Sequence, residues 1–406
     1  MWHTMRLLIA DAIDTQPLEE LRLLGIEIVV NPNLTRDTLP AALGGVGILV
    51  VRRLEVSKDA LDGARELNLI VRAGGGSGNV DVEAASARGI YVANCPNKNA
   101  SAVAELVMGL ALALDRRIFD AHAAMREGRW ERGVYGSEQG LWGRHIGIAG
   151  LGATGREVLS RARAFGMKPH VMSRAMTAQK AQRLDVAFAP TLEHLASVSE
   201  VFTVHLPLTP SSRGVVSKNV LEALPDDAIV LNTAHAALFD LDALAEIAPR
   251  KRLRVGLDVH AAEPRDASAK FDARFANLPN FLCTPHVGGS TKQAQRAISD
   301  EITRVIRCFL TEENVPNVIN VCATTPARFV IVLRQLDKVG ALANTLAVLK
   351  RHGINIEEIS NTVFDGAKAT CTKLRVSGRP SDGCLKEIAA FEETLHVDII
   401  QMPNRA

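Results

Sequence analysis

Residues 145–174, HIGIAGLGATGREVLSRARAFGMKPHVMSR, carry the pattern that decides the fold. Residues 145–149 read as a short buried strand that runs into Gly150, Gly152 and Gly155, with a helix to about residue 165 and a second strand at 170–173. A glycine triplet alone says little, but a strand before it and a helix after it give the context of a dinucleotide cradle. Each glycine has its own reason. Gly150 permits the tight turn, Gly152 admits a pyrophosphate to the backbone, and Gly155 lets helix and strand approach. Ala153 and Thr154 then open the helix, whose first-turn N–H groups and dipole face the phosphates.

The end of the second strand selects the cofactor. A ribose without a 2′-phosphate is usually held by an Asp or Glu about 20 residues past the glycines. Here the strand ends Met172-Ser173-Arg174, and the next acid is Asp185. Ser173 can donate to a phosphate and Arg174 can clamp it, whereas a carboxylate would repel it. NADP(H) is therefore expected over NAD(H), the bland alternative being an exposed strand-end arginine with no preference.

Composition narrows the rest. The chain has 406 residues, 47% of them hydrophobic, room for two or three cores. Val/Ile runs alternating with Ala/Leu-rich helices point to α/β architecture. A net charge of +2 gives no electrostatic grip on nucleic acid or an anionic membrane. The longest apolar run, 102–114, is broken by Glu105 and is too short to span a bilayer. Cys95, Cys283, Cys308, Cys322, Cys371 and Cys384 show no C-x-x-C spacing, so neither zinc nor a disulfide framework is expected. The opening residues lack a secretory leader pattern, and the expected compartment is reducing cytoplasm.

Working outward, the first hundred residues alternate short strands (6–10, 27–31, 47–51, 69–73, 90–94) with amphipathic stretches at 17–24 and 57–67, a doubly wound domain in itself. Two of its strand ends can bind an anion: Arg52-Arg53, and the run Gly74-Gly75-Gly76 after Arg72-Ala73. Solvated charge is the plainer reading of Arg53. A helix over 101–116, with Ser101 as N-cap, leads into a second α/β domain with further strands at 200–205, 228–232, 254–258 and 280–284. A helix over 291–310 returns to the first domain. The expected division is thus 1–100 with 290–315 around an inserted 101–289, with a cleft between. Residues 312–327 read as a linker. Beyond them, strand, helix, strand, a turn at Asp365-Gly366, strand, helix and strand make a βαββαβ domain over 328–406.

The segment 255–291 carries a family resemblance. Gly256-Leu257-Asp258-Val259, Ala262-Glu263-Pro264 and Thr284-Pro285-His286-Val287-Gly288-Gly289-Ser290-Thr291 resemble the D-specific 2-hydroxyacid dehydrogenases. With His205-Leu206-Pro207 and the stretch 99–105 (NASAVAE), the match extends over residues 5–320. Asp337-Lys338-Val339-Gly340 and Gly353-Ile354-Asn355-Ile356 make the tail resemble an ACT regulatory domain, an arrangement similar to the bacterial phosphoglycerate dehydrogenases of serine biosynthesis.

The resemblance implies an oxidoreductase of two parallel-sheet domains plus an ACT-like one, acting on a small 2-hydroxy or 2-oxo acid. It implies His286 as general acid/base with Glu263 as partner, and the chemistry agrees. Removing a hydride from an alcohol carbon requires removing the hydroxyl proton, which an imidazole does near neutrality. It further implies Asp258 at the nicotinamide carboxamide, His205, Pro207, Thr233 and Gly288 along the cofactor, and Arg52, Gly75 and Gly76, with Arg53 beside them, on the substrate side. A homodimer or homotetramer is expected.

One position departs from the family. After the strand at 229–232, His235 stands where an Arg would clamp the substrate carboxylate. An imidazole offers at most one charge-assisted bond in place of a guanidinium fork, a loss of roughly 1.5–3 kcal/mol. Three readings stay open: a protonated His235 as a weaker clamp, a different substrate, or lost catalysis. They correspond to a phosphoglycerate dehydrogenase, an NADPH-dependent reductase of hydroxypyruvate, glyoxylate or a phosphonate analogue, and a nucleotide-binding sensor. In the tail, Asn355 matches an effector position, but Gln335 and Asp337 do not match a serine sensor. An amino-acid effector and a merely oligomerising tail stand equal.

Overall fold

The runs of aliphatic and β-branched residues pair in parallel, as strands buried on both faces should. In the computed structural model, which describes residues 5–264, 269–271, 274–311, 314–322 and 325–402, the first sheet contains β1 (Arg6–Ile9), β2 (Glu27–Val30), β3 (Ile48–Val51), β4 (Leu69–Arg72) and β5 (Tyr91–Asn94). Their order is β2-β1-β3-β4-β5, so the chain changes direction across the sheet between β1 and β3. The second sheet contains β6 (His145–Ala149), β7 (Lys168–Met172), β8 (Ala187–Phe188), β9 (Val201–Val204), β10 (Ile229–Asn232), β11 (Arg254–Leu257) and β12 (Phe281–Cys283). Their order is β12-β11-β10-β9-β6-β7-β8, with the switch between β6 and β9. Such switch points leave a crevice beyond the carboxyl ends of the strands, where ligands of open α/β sheets bind.

Two long helices tie the sheets together. Ala100–Asp115 lays Val107, Leu110, Ala111 and Leu114 against Ile146, Ile148 and Leu231 of the second sheet. Lys292–Thr311 lays Ile298, Ile302, Val305 and Ile306 against Leu7, Ile9, Ile48 and Val50 of the first. Lys98 and Glu301, 3.1 Å apart, pair the approach to one helix with the other.

Local readings needed correction in four places. Ser101 is not the N-cap: the helix starts at Ala100 behind Asn99, and Ser101 Oγ instead accepts from Arg161 Nη2 at 2.6 Å. The stretch at 57–67 is helical only over Lys58–Asp62, because Gly63 ends it. The stretch at 17–24 is a 3-10 helix, Gln16–Leu24, opened by Pro17. The supposed linker is partly structural. Asn94 N–H donates to Asn317 O and Ile319 N–H to Val92 O, so residues 317–319 extend the β5 edge while Val315 and Val318 pack on its core. Residues 312, 313, 323 and 324 lie outside the described residues.

Compactness divides the chain into Met1–Asn320 and Val321–Ala406. The second unit contains β13 (Phe329–Leu336), β14 (Ile356–Val363), β15 (Ala369–Val376) and β16 (Thr394–Gln401), antiparallel in the order β14-β15-β13-β16. Its helices Ala341–Arg351 and Asp382–Ala389 place Val348, Leu349, Cys384 and Ile388 on Ile331, Leu333, Leu374 and Val376. This is the βαββαβ order expected. The turn at Asp365-Gly366 closes where Phe364 N–H meets Ala369 O. No helix among the described residues is long and apolar enough to cross a membrane.

Candidate active site

The cradle at the β6 end is as tight as its glycines require. Gly150 has φ +100°, and a Cβ there would sit 2.6 Å from His205 O. A Cβ on Gly155 would sit 2.0 Å from Gly150 O, so helix Ala153–Ala164 meets the strand backbone to backbone. Gly152 has open space around it, as a ligand-facing position should. Ala153 and Thr154 form the first turn of that helix, and Ser173 and Arg174 follow β7, which Gly150 N–H joins through Met172 O at 2.8 Å. His205 N–H donates to Ala149 O at 2.7 Å, and Ser212 Oγ donates to Pro207 O at 2.7 Å. Burial pushes the His205 imidazole down to about 4, so it is neutral and shares a 3.0 Å hydrogen bond with Thr203 Oγ1. Thr233, just past β10, is buried, and its Oγ1 has no hydrogen-bond partner among the described residues. An orphaned buried hydroxyl is costly unless a ligand satisfies it. The open glycine, the helix start and this hydroxyl fit a bound dinucleotide.

The residues expected to carry the chemistry follow β11 and β12. Asp258 is buried, and its carboxylate is fully engaged: Oδ1 accepts from Thr284 Oγ1 at 2.6 Å and Val287 N–H at 2.9 Å, and Oδ2 from Gly288 N–H at 2.8 Å. A Cβ on Gly288 would lie 2.8 Å from that same Oδ2, which explains the glycine. Asp258 and Gly288, expected at the cofactor, thus hold the loop 284–288 to the sheet. On that loop His286 has φ +52°, a left-handed conformation rare for a non-glycine residue and frequent at active sites. Its Nδ1 lies 2.6 Å from Glu263 Oε2, while Glu263 Oε1 accepts the His260 N–H at 2.8 Å. Burial opposes ionisation of Glu263, but the bonds from His286 and His260 prevail and hold its carboxyl below the usual range. With Nδ1 engaged by Glu263, Nε2 is the His286 nitrogen left for other partners.

His235 sits in different company. Asn232, buried at the β10 end, brackets its turn: Oδ1 accepts from Ala234 and His235 N–H, and Nδ2 donates to His235 O at 2.9 Å. The His235 imidazole is lowered from its ordinary value by partial burial and by His286, with Glu263 opposing and Arg213 adding to the effect. Arg213 belongs to a loop tied to this turn, since Gly214 N–H donates to Ala237 O and Val216 N–H to Leu238 O.

At the ends of β3 and β4 the structure gathers three guanidinium groups. Asp11 Oδ2 accepts the backbone N–H of Arg52, Arg53 and Leu54 at 2.7, 3.1 and 3.0 Å, which fixes the turn. Burial and Arg53 lower Arg52, while burial and Arg52 lower Arg72, whose Nε is buried without a partner among the described residues. Gly74, at φ +149°, lets Arg72 fold back, since a Cβ would stand 2.1 Å from its Nη1. Gly75 O accepts from Asn94 Nδ2, and Gly76 is open.

A profile of the D-isomer specific 2-hydroxyacid dehydrogenase NAD-binding domain matches residues 108–288. The hydroxypyruvate reductase of Thermotoga maritima is 35% identical over 280 residues, 68% of this chain and 89% of that protein. The chain belongs to the D-isomer-specific 2-hydroxyacid dehydrogenases. Similarity extends to the D-3-phosphoglycerate dehydrogenase of Methanocaldococcus jannaschii, 34% identical over 322 residues, 77% of this chain. The chain spans 60% of that relative's length. Among solved structures, the apo form of Escherichia coli D-lactate dehydrogenase superimposes with a TM-score of 0.67 at 25% identity, covering 77% of this chain and 99% of that one.

Within this dehydrogenase the motif residues His286, Glu263, Asp258 and Gly288 converge, and so do Gly150, Gly155, Ser173 and His205. Sequence reasoning passed over Arg72, Arg213 and the bracketing role of Asn232. An arginine following an apolar strand could have marked Arg72, as it did Arg52. Nothing in the local pattern marks Arg213, which reaches His235 only through the pairing of its loop.

Proposed function

We propose that this dehydrogenase interconverts a 2-hydroxy acid and its 2-oxo acid, with a substrate of the 3-phosphoglycerate type and NADP(H) in preference to NAD(H). The observation that carries the reaction class is the His286–Glu263 pair at 2.6 Å, held on a loop anchored by Asp258. A bound nicotinamide would exchange the hydride with the substrate carbon. His286 holds at Nε2 the proton that leaves or joins the substrate oxygen, and Glu263 fixes its ring through Nδ1. Thr233 and the cradle at Gly150–Gly155 orient the cofactor, with Ser173 and Arg174 at its ribose. Arg52, Arg53, Arg72 and the Gly75–Gly76 backbone supply a cationic subsite, which supports a substrate with a second anionic group. The five-stranded sheet serves as the substrate domain, the seven-stranded sheet as the cofactor domain.

His235 favours a second reading, an NADPH-dependent reductase of a smaller oxo acid such as hydroxypyruvate, glyoxylate or a phosphonate analogue. Its lowered proton affinity counts against the protonated clamp, and Arg213, whose loop pairs with this turn, brings a permanent positive charge to it. The ACT-like unit serves an amino-acid effector or holds a homodimer or homotetramer together; Asn355 donates to Glu357 Oε1 at 2.8 Å, and Gln335 is buried in β13. Among the described residues Cys95, Cys283, Cys322, Cys371 and Cys384 form no disulfide, in keeping with the reducing cytoplasm we expect. The test is NADPH and NADH oxidation with 3-phosphohydroxypyruvate, hydroxypyruvate, glyoxylate and 2-oxoglutarate. The highest kcat/KM on the phosphorylated acid supports the first reading, on an unphosphorylated acid the second, and no turnover on any of them contradicts both.

A further inference from the structure

The loop Gly74–Gly76 is shaped from behind by the neighbouring strand end. Cys95 N–H donates to Gly74 O at 3.0 Å and Asn94 Nδ2 donates to Gly75 O at 2.9 Å, so the end of β5 holds two successive carbonyls. Across a planar trans peptide the C=O and the following N–H point in opposite directions. Fixing both carbonyls therefore aims the N–H groups of Gly75 and Gly76 away from β5, and neither has a hydrogen-bond partner among the described residues. Successive unpaired N–H groups of this kind make a concavity for an anion. Any residue could make the Cys95 contact, which is backbone to backbone, but the Asn94 contact needs that side chain.

Asn94 is itself held at the sheet edge. Its N–H donates to Asn317 O at 3.2 Å, and Val318 bridges Ala93 antiparallel to β5. Asn317 has φ +59°, a left-handed conformation that asparagine tolerates better than most residues, and its Nδ2 donates to Glu301 Oε1 at 2.5 Å. Glu301 is buried on helix Lys292–Thr311, with Arg304 at 2.6 Å and Lys98 at 3.1 Å. Arg304 above all holds its carboxyl down to about 2, so it is a fixed, ionised acceptor. At the other end of the segment, Asn320 Oδ1 accepts Val92 N–H at 2.9 Å, and its Nδ2 donates to Ile90 O at 2.8 Å and Ser86 Oγ at 3.2 Å. Asn94 thus reaches the glycine loop, whereas Asn320 fastens only the strand and what precedes it.

We propose that Asn94 is a positioning residue for the oxo acid, orienting the Gly75–Gly76 peptide so that its N–H meets an anionic group of the substrate, with Asn317 as its support. The inference rests on the reading of Gly75 and Gly76 as part of the substrate subsite. Asn94 acts through the peptide plane and touches no reacting atom. Its loss weakens the hold on the oxo acid and leaves His286, Glu263 and the cofactor cradle as they are.

The test is steady-state kinetics of the full chain at saturating reduced cofactor (NADPH, with NADH as the alternative), with 3-phosphohydroxypyruvate and hydroxypyruvate in turn. Cofactor affinity is followed by fluorescence quenching. Asn94→Ala should raise KM for the better oxo acid about fivefold, the worth of one hydrogen bond, with kcat and cofactor affinity within about twofold. Asn317→Gly keeps the left-handed backbone, removes the side chain and should raise KM about two- to threefold. Asn320→Ala removes three hydrogen bonds against one at Asn94, and should lower the melting temperature while KM stays within about twofold. A KM for Asn94→Ala within about twofold of wild type overturns the proposal. So does an equal rise in KM for Asn320→Ala, which would make general loosening of the edge the cause. Should Asn94→Ala fail to fold, Asn317→Gly against Asn320→Ala decides by the same comparison. If wild type turns over neither acid with either cofactor, the substrate reading of the loop has failed, and the proposal with it.

Discussion

Two histidines face the same site from the ends of different strands, and their neighbours give them different work. His286, after β12, is bonded to a carboxylate and held on a loop whose every turn answers to Asp258. His235, after β10, has a backbone bracketed by Asn232 and an imidazole that feels burial, a second imidazole and a guanidinium. The regions are joined, since Asp258 N–H donates to Asn232 O at 3.0 Å. On the reading proposed above, the proton-transfer pair is fully bonded, while the anion clamp beside it is relaxed. Glu263 bonds His286 directly, whereas at His235 its influence is outweighed by burial and by His286.

The comparison breaks most visibly at Asp258. Replacing it by Ala leaves Thr284 Oγ1 and the Val287 and Gly288 N–H groups without their acceptor, a cost of roughly 3 kcal/mol in stability. Denaturant unfolding should show that loss, and kcat should fall about 100-fold because His286 is released. A variant of unchanged stability would mean the carboxylate does not hold the loop. Glu263→Gln keeps a hydrogen-bonding group but removes the charge, and kcat should fall about 10- to 100-fold with KM little changed. An effect confined to KM would reassign Glu263 to substrate binding.

The other side of the comparison is sharpened by His235→Arg. If the clamp is relaxed, a guanidinium should lower KM for the preferred oxo acid about tenfold; an unchanged KM would show that Arg213 already supplies the charge, in which case Arg213→Ala raises KM by a similar factor. The pH dependence is subtler. His235 is held below the ordinary imidazole value of about 6.5, so KM should be flat from pH 7 to 8.5 and fall only below about 6.5. A KM that climbs through pH 7 or above would restore the protonated clamp. The smallest effect is on stability. His205 is lowered to about 4 in the folded state against about 6.5 unfolded. Below pH 6.5 the unfolded chain therefore binds the extra proton, and stability drops as pH falls from about 6.5 towards 4. His205→Asn should flatten that part of the pH–stability curve, measured by chemical denaturation.

Much of this was legible in the residues themselves. The parallel strands are uninterrupted aliphatic runs, and the Gly150–Gly155 spacing admits few other geometries, so the second sheet and its cradle follow from local chemistry. His286 and Glu263 could be paired because their motif segments are distinctive. The illegible parts are those that depend on distant packing. Arg72 joins Arg52 only because β3 and β4 are neighbours, and Arg213 reaches His235 only through the loop pairing at Gly214 and Ala237. Residues 317–319 looked like linker because polar neighbours surround them, yet Val318 pairs with Ala93 at the β5 edge and Val315 packs on the core beside it. Ser101 looked like a cap until Arg161 claimed its hydroxyl.

The central claim, that His286 moves the proton, is tested most directly by kcat for His286→Ala at saturating NADPH and oxo acid, alongside cofactor affinity by fluorescence quenching. A fall of about a thousandfold in kcat is expected, with cofactor affinity unchanged within about twofold. A variant that turns over within tenfold of wild type would contradict it.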